Sequence, residues 1–257
     1  MNTLNKEKLH TFIAKEVIEK FNHKRLEALR SLDIIDVLRR KNPYLFQAKS
    51  LSTPEEIVRA IIDAFLSSHE ETIFGDLLEN LSVYVCGEVF GGIKLPKIQQ
   101  GNPDILFTRD DIIYYVEIKS GPHWGNSSQI AKLRLTFERI RKELLEDKQD
   151  LSKYRFVNGC IYGKINSEQV DNENNLRSYA KICGQAFWDL ISGSNSFYLD
   201  IIDPLTKETE KKEYEYIEEY NSSIIKASLI FSDHFVENNK VNWNKIVKLT
   251  SENKQPN

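Results

Sequence analysis

The stretch Gly101-Asn102-Pro103-Asp104-Ile105-Leu106-Phe107, continued after Thr108-Arg109-Asp110-Asp111 by Ile112-Ile113-Tyr114-Tyr115-Val116-Glu117-Ile118-Lys119, decides how this chain reads. Ile105 to Phe107 and Ile112 to Val116 are β-prone runs joined by a polar turn, which predicts a hairpin. A turn centred on Asp110-Asp111 pairs residues whose numbers sum to 221, and Asp104 then faces Glu117. Side chains alternate across a strand, so Glu117 and Lys119 share a face while Ile118 takes the other. Asp104, Glu117 and Lys119 thus converge at one end of the hairpin, a placement that a one-residue slip would undo. The apolar run passes straight into Glu-Ile-Lys, and charge at the end of a core strand is expensive unless something pairs with it.

Two carboxylates and an ammonium at that position suit the holding of Mg²⁺ against a phosphodiester. Mg²⁺ is a hard cation that takes one or two protein carboxylates, keeps several waters and accepts phosphate oxygens. Asp104 and Glu117 are the candidate ligands, with the Ile118 carbonyl as a third oxygen. Lys119 would orient the attacking water or stabilise charge developing at phosphorus. Without metal, two close carboxylates repel, and one should have a raised pKa. The plainer alternative is that Glu117 and Lys119 are ordinary exposed strand residues.

Downstream, Ser120-Gly121-Pro122-His123-Trp124-Gly125-Asn126-Ser127-Ser128-Gln129 reads as a sharp loop ending at a helix start, with Asn126 or Ser127 as the cap. The helix is predicted over 127–146, with Ile130, Leu133, Phe137, Ile140 and Leu144 on one stripe. Its other face carries Lys132, Arg134, Arg139, Arg141 and Lys142 against Glu138, a net of +4 over 132–142. Beside a metal site such a face is a candidate phosphate track, although most such faces are merely solvated. His123, Trp124, Asn126, Ser127, Gln129 and Lys132 are the candidate DNA-contacting residues. For His123 a loop-shaping role stands beside that one.

The segment Glu117-Ile118-Lys119-Ser120-Gly121-Pro122, followed by Trp124 to Gln129, resembles the active-site strand and loop of a type II restriction endonuclease family. That family belongs to the PD-(D/E)XK superfamily and cuts interrupted palindromes with a GGNCC-type core. Ser67 to Glu79 and Cys183-Gly184-Gln185-Ala186-Phe187-Trp188 resemble it too, so the likeness runs from about Asn42 to Gly193. The resemblance implies a mixed α/β fold, with a central mixed sheet flanked by helices and an N-terminal helical subdomain. It also implies a homodimer, Mg²⁺-dependent cutting of both strands of palindromic duplex DNA, and a cognate methyltransferase acting on the same site without a stable complex. The matching catalytic positions are Asp104, Glu117 and Lys119. The superfamily often adds an acid on the helix before the hairpin, and Glu71 is the candidate, with Glu79 behind it. Ser68-x-x-Glu71 fits a helix capping box equally well. A catalytically inactive DNA-binding module, a non-specific repair nuclease and a helical interaction protein are the competing classes.

The chain as a whole can bury one sizeable core, with room for a helical subdomain. It has 257 residues, 40% of them hydrophobic, and a net charge of −3. Residues 1–50 read as a helical region for dimerisation or packing, 51–200 as the nuclease core, 201–250 as a C-terminal helical region and 251–257 as a disordered tail. A helix start is read at Thr53-Pro54-Glu55-Glu56, with a break at Ser67-Ser68 and a second helix to about Val85. A strand is expected over 156–163 and a helix over 172–192, with Phe187 and Trp188 in the core. Gly91-Gly92 reads as a turn or as a close approach to DNA. Charge is uneven, with +5 over 20–49 and −5 over 200–220, which permits DNA binding despite the overall sign. The three cysteines, Cys86, Cys160 and Cys183, are too scattered for a disulfide frame and are expected buried in a reduced cytoplasm. No apolar run is long enough to span a bilayer and the N-terminus has no signal-peptide core, which points to a cytoplasmic protein without membrane contact.

Overall fold

The computed structural model describes residues 2–165, 169–172, 174–209 and 213–253. The N-terminal stretch is helical: α1 (Lys6–Phe12), a π-helical segment (Ile13–Glu19), α2 (Lys20–Arg30), α3 (Ile34–Arg39) and α4 (Pro43–Ala48). Then comes α5 (Pro54–Phe90), a single helix of 37 residues. Its start is the expected one, with Thr53 Oγ1 accepting from Glu56 N at 3.2 Å and Glu56 Oε2 accepting from Thr53 N at 3.0 Å. The break expected at Ser67-Ser68 is absent. Buried Leu66, Ile73, Leu77, Leu81 and Val85 continue one stripe past the two serines, and that burial outweighs their weak helix propensity. Gly91 (φ 70°) ends α5, with its N–H bonded to Gly87 O at 3.0 Å and that of Gly92 to Cys86 O at 3.1 Å. Gly91-Gly92 is therefore a left-handed helix cap.

The sheet follows: β1 (Ile93–Lys94), β2 (Ile105–Arg109), β3 (Ile112–Lys119), then α6 (Ser127–Glu146), β4 (Tyr154–Cys160) and β5 (Ala180–Cys183). The five strands lie in order β1-β2-β3-β4-β5. The first two pairings are antiparallel and the last two parallel, so this is a mixed α/β fold whose sheet is flanked by helices. The β2–β3 register is the expected one, with Ile105 opposite Val116 and Arg109 opposite Ile112. Asp110 (φ 51°) and Asp111 (φ 61°) both sit at positive φ, the type I′ geometry whose twist matches that of the flanking strands. Helix α6 is the crossover that parallel strands need between β3 and β4. Its Leu133, Phe137 and Ile140 are buried with Phe156 and Tyr179.

The helix expected over 172–192 is corrected by β5, which pairs in parallel with β4, Cys183 opposite Cys160. Among the described residues of that range, α7 (Gln185–Ser192) is the helix, with Phe187 and Trp188 buried as expected. Short α8 (Phe197–Asp200) and α9 (Ile202–Thr209) lead to α10 (Glu213–Phe235), a β6–β7 hairpin (Val236–Glu237, Lys240–Val241) and α11 (Trp243–Ser251). The tail at 254–257 lies outside the described residues. All three cysteines are free and buried. No helix among the described residues is long and apolar enough to cross a membrane.

The chain forms two compact units, one of residues 1–18 and 75–207 and one of residues 19–74 and 208–257. The second is helical apart from the β6–β7 hairpin and is built on buried Leu29, Leu38, Ile57, Ile61, Phe231 and Ile246. Part of the charge segregation is consumed inside it. Arg30 pairs with Glu215 at 3.0 Å and Glu219 at 3.2 Å, and Arg25 with Glu70 at 2.7 Å.

In the first unit, Arg141 is 1% exposed and ion-pairs with Asp171. It also donates to Leu176 O at 2.7 Å and Ser178 O at 2.9 Å. Asp171 in turn accepts from Phe156 N at 2.9 Å, which ties the crossover segment to β4. Truncating one member of a buried pair strands the other, so Arg141→Met should destabilise the protein by about 3–5 kcal/mol. The check is the urea midpoint; an unchanged midpoint would show that the pair is not a structural clamp.

Candidate active site

Asp104 enters β2 from an extended loop, and its side chain is 7% exposed. Its Oδ2 accepts from Ile118 N at 2.7 Å, which places the carboxyl between the two charged residues flanking Ile118. On β3, Glu117 and Lys119 share a face, with Lys119 Nζ 2.5 Å from Glu117 Oε1. The three side chains expected to converge line one cleft of about 510 Å³, together with Glu79, Lys97, Gly101, Asn102, Trp124, Gln129, Lys132 and Thr136.

Burial pushes the Asp104 carboxyl up to about 7, and the nearby Glu117 and Glu79 carboxylates add to the shift; the Ile118 N–H and the Lys119 ammonium oppose it. A buried carboxyl beside two others is a strong demand for a cation. The donors are all oxygen, as a hard divalent ion requires. The Ile118 carbonyl joins them by backbone geometry. Lys119 O accepts from Ile161 N beyond β4, while Ile118 N reaches back to Asp104, so the Ile118 carbonyl leaves the strand on the Asp104 side. Among the described residues no three His, Cys, Asp or Glu side chains form a ready-made metal cage. Glu79 is occupied by Lys94 at 3.1 Å and Glu117 by Lys119. That leaves a partial site of the kind Mg²⁺ shares with substrate oxygens.

A family model described as type II restriction endonuclease EcoO109I matches residues 7–213, most of the chain and all of this cleft. The chain belongs to that family. It is thus a member of a type II restriction endonuclease family, whose substrate is DNA. No match was found among curated proteins.

The remaining expected residues fall in different places. Glu71 is an exposed residue within the other unit, where it lines a groove with Glu70 and Tyr216; the helix acid that lines the cleft is Glu79. Glu71 caps nothing either, because α5 runs through it. His123 is exposed and is not among the cleft residues. Asn126 and Gln129 form a reciprocal capping box at the start of α6, with Asn126 Oδ1 accepting from Gln129 N at 3.1 Å and Gln129 Oε1 from Asn126 N at 2.9 Å. Gln129 still reaches the cleft, whereas Ser127 faces a separate cleft beside Arg134. The cationic face of α6 is mostly spoken for. Arg141 is buried, Lys142 pairs with Glu138 at 2.8 Å, and Arg139 holds Glu143 at 2.7 Å, Gly101 O at 2.7 Å and Asn102 Oδ1 at 2.9 Å. Of that face, Lys132 is the cation that lines the cleft. Sequence reasoning missed Asn158, fully buried on β4. The available signal was an amide inside the otherwise apolar run Phe156-Val157-Asn158-Gly159-Cys160.

Proposed function

We propose that the protein is a site-specific endonuclease of the PD-(D/E)XK superfamily that cuts both strands of palindromic duplex DNA, with Asp104, Glu117 and Lys119 as its catalytic residues. The observation that carries the reading is the Asp104 carboxyl bonded to Ile118 N, which sets two acids and one ammonium at one end of a cleft. Asp104, Glu117 and the Ile118 carbonyl would hold Mg²⁺, with Glu79 the fourth oxygen group in reach. Mg²⁺, when bound, supplies Lewis acidity toward the scissile phosphate and the attacking water.

The chain's own residues do the rest. The carboxylates repel a bare phosphate, so the DNA backbone enters productively only together with a cation. Lys119 points its ammonium at the same place, where it orients the water in line with the leaving oxygen and offsets charge developing at phosphorus. Cleavage of the P–O3′ bond leaves a 5′-phosphate and a 3′-hydroxyl. Lys132, on the first turns of α6, contacts a neighbouring phosphate, and Trp124 and Gln129 line the path of the strand.

Family resemblance supports an interrupted GGNCC-type recognition core, a homodimer reading its two-fold site through isologous contacts, and a cytoplasmic setting with a methyltransferase protecting the same sequence. In this reading the core at 51–200 cuts, and the helical regions 1–50 and 201–250 serve packing or self-association.

The test is digestion of a sequenced plasmid with and without Mg²⁺. Discrete bands with fragment ends mapping to one palindrome are expected. A smear would point to a non-specific nuclease, and retention of DNA without cutting under any divalent ion to an inactive binding module. Mg²⁺ alone should raise thermal stability, by about 2.7 kcal/mol at about 100 times its Kd.

A further inference from the structure

Asn158 lies in the middle of β4 with no exposure at all. An amide in such a place is unfavourable unless both of its polar atoms find partners. Both do. Nδ2 donates to the Glu117 carbonyl at 3.3 Å, and Oδ1 accepts from the indole Nε1 of Trp124 at 2.7 Å. A main-chain carbonyl only accepts and an indole N–H only donates, so these partners fix which way the amide faces. Trp124 belongs to the loop between β3 and α6, and this bond ties its ring to the sheet. The anchored ring lies against Lys119, whose Nζ is 5.1 Å from the ring centroid. Lys119 is thus gripped twice, by the Glu117 carboxylate and by the indole face.

We propose that Asn158 and Trp124 are positioning residues for Lys119. The inference rests on the role given to Lys119 above. A lysine held only by Glu117 would lose its anchor whenever that carboxylate turned to a cation. The indole is neutral, binds no hard cation and keeps its attraction for the ammonium throughout. Asn158 does not touch the substrate. It sets the angle of the ring, and through the Glu117 carbonyl it also steadies the strand that carries both charged groups.

The first test uses the metal-free wild-type protein and needs no variant that might misfold. Protons on the ε-methylene of Lys119, assigned by their loss in Lys119→Arg, should resonate upfield of an ordinary lysine because of the indole ring current. A Lys119 signal at its usual position overturns the proposal. The second test compares variants. Trp124→Leu should abolish the upfield shift and slow cleavage at saturating DNA by about tenfold. Trp124→Phe keeps a ring face but loses the bond to Asn158, so it and Asn158→Ala should each give a shift and a rate between those of wild type and Trp124→Leu. Rates that follow thermal stability rather than the presence of a ring, or full activity in Trp124→Leu, overturn the proposal. Cutting by Glu117→Ala would instead remove the underlying reading of the site while leaving the ring-current shift in place, so the two failures are distinguishable.

Discussion

Replacing Glu117 by alanine leaves a protein that still retains duplex DNA in a gel but no longer cuts it. Glu117 lines the cleft and bonds Lys119 Nζ at 2.5 Å, so its loss removes one candidate oxygen ligand and half of the hold on the lysine. Interactions made with the charge of a phosphoryl transition state are worth several kcal/mol, which corresponds to a rate loss of about 10³-fold or more. Binding without metal should be unchanged or tighter, because one negative charge facing the phosphates has gone. Measured under single-turnover conditions, a rate within tenfold of wild type would take Glu117 out of the machinery.

The second large effect belongs to Asp104→Asn, which should abolish cleavage and at the same time stabilise the metal-free protein. The asparagine keeps an oxygen to accept from Ile118 N and discards the buried charge. The Asp104 carboxyl stands at about 7 in the fold, against 3.8 for an ordinary aspartate, so the folded chain holds its proton more tightly than the unfolded one. The stabilisation that this proton brings is complete below about pH 4 and is lost as pH rises through about 7. Wild type and Asp104→Asn should therefore have equal unfolding free energies near pH 4 and separate by a few kcal/mol by about pH 8, with the variant the more stable. Urea titrations of both proteins in EDTA at several pH values read this directly. Parallel curves across that range would mean that the carboxylate is already compensated in the fold.

The hairpin and its charges were legible because local rules decided them. A polar Asp110-Asp111 turn between β-prone runs fixes a two-residue loop, and the loop fixes the register that brings Asp104 to Ile118. The start of α5 at Thr53 and the stripe of α6 were legible for the same reason. What could not be read depended on partners far away in sequence. Arg141 reads locally as a solvated cation, and it is the connection between β4 and β5 that brings Asp171 to it. Residues 180–183 carry a helical pattern, and only the open edge of β4 makes them a strand. Ser67-Ser68 looked like a boundary because serine propensity is local, whereas the stripe that carries α5 past it is longer than the window in which a break is judged. At the site, the choice between Glu71 and Glu79, two turns apart on one helix, is not set by local rules, because it depends on which acid meets the cleft.

Arg139 reaches from α6 to Gly101 O and Asn102 Oδ1, and Thr136 Oγ1 of the same helix reaches Gln100 O at 3.4 Å. The approach to Asp104 is therefore fastened to the helix that carries Lys132. One rod acts as the common datum for both the acid and the lysine at the cleft, so their spacing is preserved when the helix shifts as a whole. Tolerances that loops alone would leave loose are inherited here from a single rigid part.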